Sequence, residues 1–154
     1  MTTQLPQPAD PAGRYLRWAA IAFAIGFGIH GLDHLRRGMS ASPQAVMIGG
    51  MIQGVFVAAA VVMAFTGRDR APEWALAVGF GSAVLFTYAH ILPNYFPALQ
   101  DSFVSGPRIN VTWFSWVSAA AEIGTGIVFA IAGMRARHPS GVGSVVQLRR
   151  KVPR

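Results

Sequence analysis

The sequence predicts an all-α, polytopic integral membrane protein, an antiparallel bundle of four transmembrane helices. Three observations predict it: an apolar composition, four apolar runs of membrane-spanning length, and short connections between them. Of 154 residues, 53% are hydrophobic and only 12% charged, against about 25% charged in an ordinary soluble domain. Mean hydropathy is +0.41. The runs are Trp18 to Leu35, Gln44 to Phe65, Trp74 to Leu92 and Val111 to Met134, of 18, 22, 19 and 24 residues. A helix needs about 20 residues to cross a hydrocarbon core of about 30 Å.

The first run follows Arg14 and Arg17 and ends in a charged stretch with Arg36 and Arg37. That charged flank favours a retained helix over a cleaved signal peptide. The other runs lack the alternation of a barrel strand, and in lipid only a helix satisfies its own backbone polar groups. The connections, Arg36 to Pro43, Thr66 to Glu73 and Pro93 to Asn110, make neighbouring helices antiparallel. Residues 15–135 are therefore the helical domain. Residues 1–14, rich in Pro and polar side chains, read as a mobile N-terminal segment, and residues 136–154 as a basic tail.

Basic residues predict the orientation. Ten of the 13 Lys and Arg fall at the N-terminus, the second loop and the tail, and three (Arg36, Arg37, Arg108) on the opposite side. By the positive-inside rule both termini are cytoplasmic, in a plasma membrane. The tail sequence "LRRKVPR" suits contact with anionic lipid. It lacks the folded module and interleaved aromatics that a nucleic-acid partner would need.

Cysteine is absent, so thiolate metal sites, disulfide exchange and cysteine nucleophiles are excluded. Glycines such as Gly26 read as packing positions, and Gly50 and Gly54 have the small-xxx-small spacing of a close helix approach. In the loop from Pro93 to Asn110, Tyr95, Phe96, Leu99 and Phe103 suit the outer interface, with Asp101 and Arg108 in water. A loop of that length can also lid what lies beneath it.

The stretch "GIHGLDHLRRG" places His30, Asp33 and His34 at the end of the first helix. Helices one and three end on the same face, so His90 joins them there. Spacings of three and four put His30, Asp33 and His34 on one side of their helix. Two histidines, a third from another helix and a carboxylate form an outward-facing set suited to copper, zinc or iron, since neutral imidazole is the commonest metal ligand. Met47 and Met51, four residues apart on helix two, would add soft thioethers for copper(I) or simply fill apolar gaps. Haem b with His90 and either His30 or His34 as axial ligands is a further option. In helix number and histidines the chain resembles, in outline, the membrane b-type cytochromes. No cofactor at all is the competing expectation, with each histidine a polar group near a helix end.

A second polar feature lies deeper. Ser115, Ser118, Glu122 and Thr125 recur at spacings of 3, 4 and 3 on helix four and form one stripe. Glu122 is about 16 Å below Val111 and Gln53 about 14 Å below Gln44, both near the midplane. A carboxylate there should face the bundle, either protonated or paired with Gln53.

Three function classes follow. The first is a small, redox-capable metal- or haem-binding protein with Glu122 handling protons. The second is a cation- or proton-coupled transporter unit built around Glu122. In size it resembles four-helix multidrug exporters, which carry the acid in the first helix, whereas this chain has it in the fourth. The third is an accessory or scaffold subunit of a homo-oligomer or larger membrane complex.

Overall fold

The computed structural model describes residues 10–137, which form four helices packed as a bundle. They are α1 (Pro11–Arg37), α2 (Gln44–Thr66), α3 (Ala71–Phe86, continued by a π-helical turn at Thr87–Ile91) and α4 (Trp113–Arg137). With 27, 23, 21 and 25 residues, each is long and apolar enough to cross a membrane. Large side chains such as Trp18, Ile25, Ile52, Val55, Val62 and Val84 are exposed on the outer surface, as expected where lipid is the solvent.

Helix α1 starts seven residues before the first apolar run, so residues 11–14 are helical. Asp10 explains this. Its carboxylate accepts a hydrogen bond from the Gly13 N–H at 3.0 Å, and Pro11 occupies the first helical position, where a missing N–H costs nothing. Residues 136 and 137 of the basic tail continue α4, and the rest of the tail, 138–154, lies outside the described residues.

Helix α4 is the central element. It packs closely on both α1 and α3, while α2 leans more lightly on α1 and α3. Glycines set the close approach, but not Gly50 and Gly54. At Gly133 a methyl group would meet the Leu76 nitrogen at 2.9 Å, and at Gly126 the Gly79 carbonyl oxygen at 3.0 Å. The α3–α4 seam thus brings backbone against backbone, as small residues permit in membranes. At Gly50 a methyl group would meet nothing within 4 Å. The room expected at Gly26 is used: its face lies against Thr125 and Ala121 of α4. Below the polar end, Phe23 stacks on Phe129 with centroids 5.5 Å apart, and Leu16, Ala20, Val57, Ala60 and Ala75 complete the apolar core.

Pro93 ends α3 and shapes the long loop. Lacking an N–H, it cannot bond the carbonyl of Ala89, and it holds Leu92 extended at φ −75°, ψ 153°. The freed carbonyls are taken by the loop: Asp101 N–H donates to Ala89 at 2.9 Å and Phe103 N–H to His90 at 2.8 Å. Gln100, fully buried, donates to the Tyr88 and Pro93 carbonyls at 2.8 and 3.1 Å. The loop is therefore stitched onto the end of α3. Asp101 and Phe103 are buried, not in water and at the interface as their loop position suggests, because these backbone bonds draw both under the loop. Tyr95, Phe96, Leu99 and Arg108 are exposed.

Candidate metal centre

His30 and His34 come from the last two turns of α1, and His90 from the π-helical turn that ends α3. The wider turn closes with an i to i+5 bond, Leu92 N–H to the Thr87 carbonyl at 3.0 Å, and such turns recur at functional positions. His30 and His90 are buried and His34 half-buried. The Nε2 atom of His30 lies 3.1 Å from Nε2 of His34 and 3.2 Å from Nε2 of His90. Three imidazoles from two helices converge through the same ring nitrogen, and this group could hold a metal ion.

The opposite nitrogens are each held by an oxygen from another element. Nδ1 of His90 lies 3.0 Å from the Asp101 carbonyl oxygen, which can only accept. Nδ1 of His34 lies 3.1 Å from the Ser42 hydroxyl, whose proton is given to the Asp101 carboxylate at 2.6 Å. Nδ1 of His30 lies 3.4 Å from the Ser118 hydroxyl, whose proton is given to the Ser115 carbonyl at 2.9 Å. The network assigns the hydrogen to Nδ1 in each ring, which leaves three Nε2 lone pairs facing one another.

That arrangement repels itself unless a cation sits among the lone pairs. Nitrogens 2.0–2.1 Å from a tetrahedral zinc lie about 3.3 Å from each other, close to two of the three spacings, and all three ligand atoms lie within 4.8 Å of one another. Aromatic rings cover the group: Phe103 lies over His90 at 4.7 Å and Phe86 meets His30 edge-on at 4.9 Å.

Asp33 does not join the cluster. Adjacent helical residues point about 100° apart, and Asp33 turns from His34 towards α4. It accepts from Arg36 at 2.8 and 3.0 Å and from the Ser115 hydroxyl at 3.2 Å. The carboxylate that does organise the histidines is Asp101. It accepts both guanidinium arms of buried Arg37 at 2.5 and 2.8 Å, while its backbone and side chain orient His90 and His34. Sequence reasoning missed Asp101, Ser42 and Arg37, because all three lie in or beside loops that carry no periodicity. The one available signal was chemical, since an imidazole ligand needs an oxygen acceptor for its other nitrogen.

A haem does not fit between these rings. Imidazole nitrogens that share one haem iron stand about 4 Å apart, whereas Nε2 of His30 and His90 are 3.2 Å apart and the His34 and His90 rings are only 5.5 Å apart between centroids.

Met47 and Met51 line the same cavity as the three histidines. On α4, Ser115 and Ser118 reach Asp33 and His30 as described, while Thr125 is half-buried and bonds back to the Ala121 carbonyl at 2.6 Å. Glu122 is fully buried, one turn deeper than Ser118, and among the described residues neither carboxyl oxygen has a hydrogen-bond partner. Gln53 does not pair with it. Its amide donates to the Ser82 hydroxyl instead, because α2 faces α3 at that depth. No protein-family model, curated protein or solved structure matches this chain.

Proposed function

We propose that this protein is a membrane metalloprotein that binds one transition-metal ion through Nε2 of His30, His34 and His90. One observation carries the reading: three Nε2 atoms converge while every Nδ1 is engaged by an oxygen. A neutral three-imidazole set suits zinc, copper or iron, and it leaves a fourth position open for water or substrate. Met47 and Met51, on the facing wall of the cavity, favour copper among these if either sulfur reaches the ion. The distribution of basic residues orients the centre to the outer face of a plasma membrane, with both termini cytoplasmic.

Metal analysis of the purified protein tests this. One ion per chain is expected, reduced to background in the His30→Ala/His90→Ala variant. A protein that takes up none of zinc, copper or iron would overturn it.

The two carboxyl oxygens of Glu122, without a hydrogen-bond partner among the described residues, favour a second reading, in which this residue relays protons to or from the centre or binds a transported cation. Ser118 stands between Glu122 and His30 along α4, which supports the relay form.

A further inference from the structure

A cavity of about 610 Å³ lies between α1, α2 and the end of α3, within the roughly 300–1,000 Å³ of small-molecule sites. It follows α2 from Ala45 to Gly54, about 14 Å of helix at 1.5 Å per residue. Among the described residues its polar side chains are the three histidines, Gln53 and Tyr88, and no charged side chain lines it. Arg37 and Asp101, a buried ion pair, neutralise each other.

Glycines keep this space open. Gly28 and Gly31 of α1 and Gly49 and Gly50 of α2 line it, and a methyl group at any of them would meet nothing within 4 Å. Glycine weakens a helix interior, and in a membrane the usual compensation is close helix approach. The α3–α4 seam shows that compensation at Gly79, Gly126 and Gly133. Between α1 and α2 the same residue type leaves a void instead. Leu32, Leu35, Met39 and Met51 form part of the wall and are themselves exposed, so the cavity opens sideways, where lipid would lie.

We propose that this cavity admits a membrane-dissolved amphiphile with a long apolar body and one oxygen-bearing head, which takes the fourth position of the metal. The inference rests on the metal reading above. The apolar walls accept the body, and their lack of charge excludes zwitterionic headgroups, since an unpaired buried charge is costly. Among the described residues, a metal held by neutral imidazoles would be the only positive centre facing the cavity, so it selects an oxygen donor. A fatty carboxylate and a quinol phenol both carry that chemistry.

The test uses full-length protein in phosphatidylcholine nanodiscs, loaded with cobalt(II), whose visible bands report the fourth ligand. Laurate and decylubiquinol are titrated separately. Saturable band shifts are expected with one of them, and the one that responds identifies the source of the head. In Gly50→Leu, which adds a side chain to the cavity wall at a position where a Cβ meets nothing within 4 Å, the midpoint is expected to rise at least tenfold with cobalt stoichiometry unchanged. No shift with either compound, or an unchanged midpoint in Gly50→Leu, would overturn the inference while leaving the metal reading intact. Failure of cobalt to bind would overturn both.

Discussion

Arg37 and Asp101, 64 residues apart in sequence, form a two-armed ion pair at 2.5 and 2.8 Å at the end of the bundle. The guanidinium is buried, with its Nε donating to the Ile109 carbonyl at 3.0 Å and the Phe103 ring 5.1 Å away. The pair ties the end of α1 to the loop that orients His90 and, through Ser42, His34.

Breaking the pair from one side should therefore unsettle both fold and site. Asp101→Asn leaves a buried cation without its counter-charge, and a loss of about 3–5 kcal/mol is expected in a detergent melt. The Arg37→Met/Asp101→Asn double variant should recover much of that loss, since it removes the stranded charge as well. A loss in the double variant equal to the sum of the losses in Asp101→Asn and Arg37→Met would show that the two residues act separately.

The oxygen partners of the histidines should tune metal affinity without changing the fold. Ser42→Ala removes the acceptor for Nδ1 of His34, and metal affinity is expected to fall about 10–100-fold with the melting temperature nearly unchanged. Nitrogen NMR of the zinc-loaded protein should show the hydrogen on Nδ1 of all three rings. A ring with its hydrogen on Nε2 would contradict the ligand assignment.

Haem addition provides a negative test. The 3.2 Å separation of the His30 and His90 Nε2 atoms predicts no bis-histidine Soret spectrum when haemin is titrated into the purified protein. A stoichiometric Soret band lost in His90→Ala would mean that the rings separate by more than the bundle shows.

The two classes of glycine should respond in opposite ways. Gly126→Ala pushes a methyl group to 3.0 Å from the Gly79 carbonyl oxygen, and an overpacked seam should lose about 1–3 kcal/mol. Gly28→Ala meets nothing and should be neutral or more stable by about 0.5–1 kcal/mol. Thermal unfolding of the two variants in one detergent decides this.

Glu122→Gln breaks no hydrogen bond among the described residues, because neither carboxyl oxygen makes one there. Stability and metal content are expected to stay at the wild-type level. In proteoliposomes, a cation or proton flux present in the wild type and abolished in Glu122→Gln would establish the transport reading. Flux that survives the substitution would exclude it.

Local chemistry decides local outcomes, and these were legible along the chain. Four runs of spanning length became four helices, since lipid leaves the backbone no other way to satisfy itself. Spacing by four put His30 and His34 on one face, and the antiparallel order brought His90 to the same end. What only the tertiary structure decided depends on partners distant in sequence. Asp33 turned to Ser115, Gln53 to Ser82, and Glu122 was left alone, because side-chain direction across a helix interface follows from packing angle and not from periodicity. The role of Asp101 was hidden for the same reason. A loop has no repeating geometry, and its burial followed from Pro93 freeing carbonyls that its own backbone then bonded.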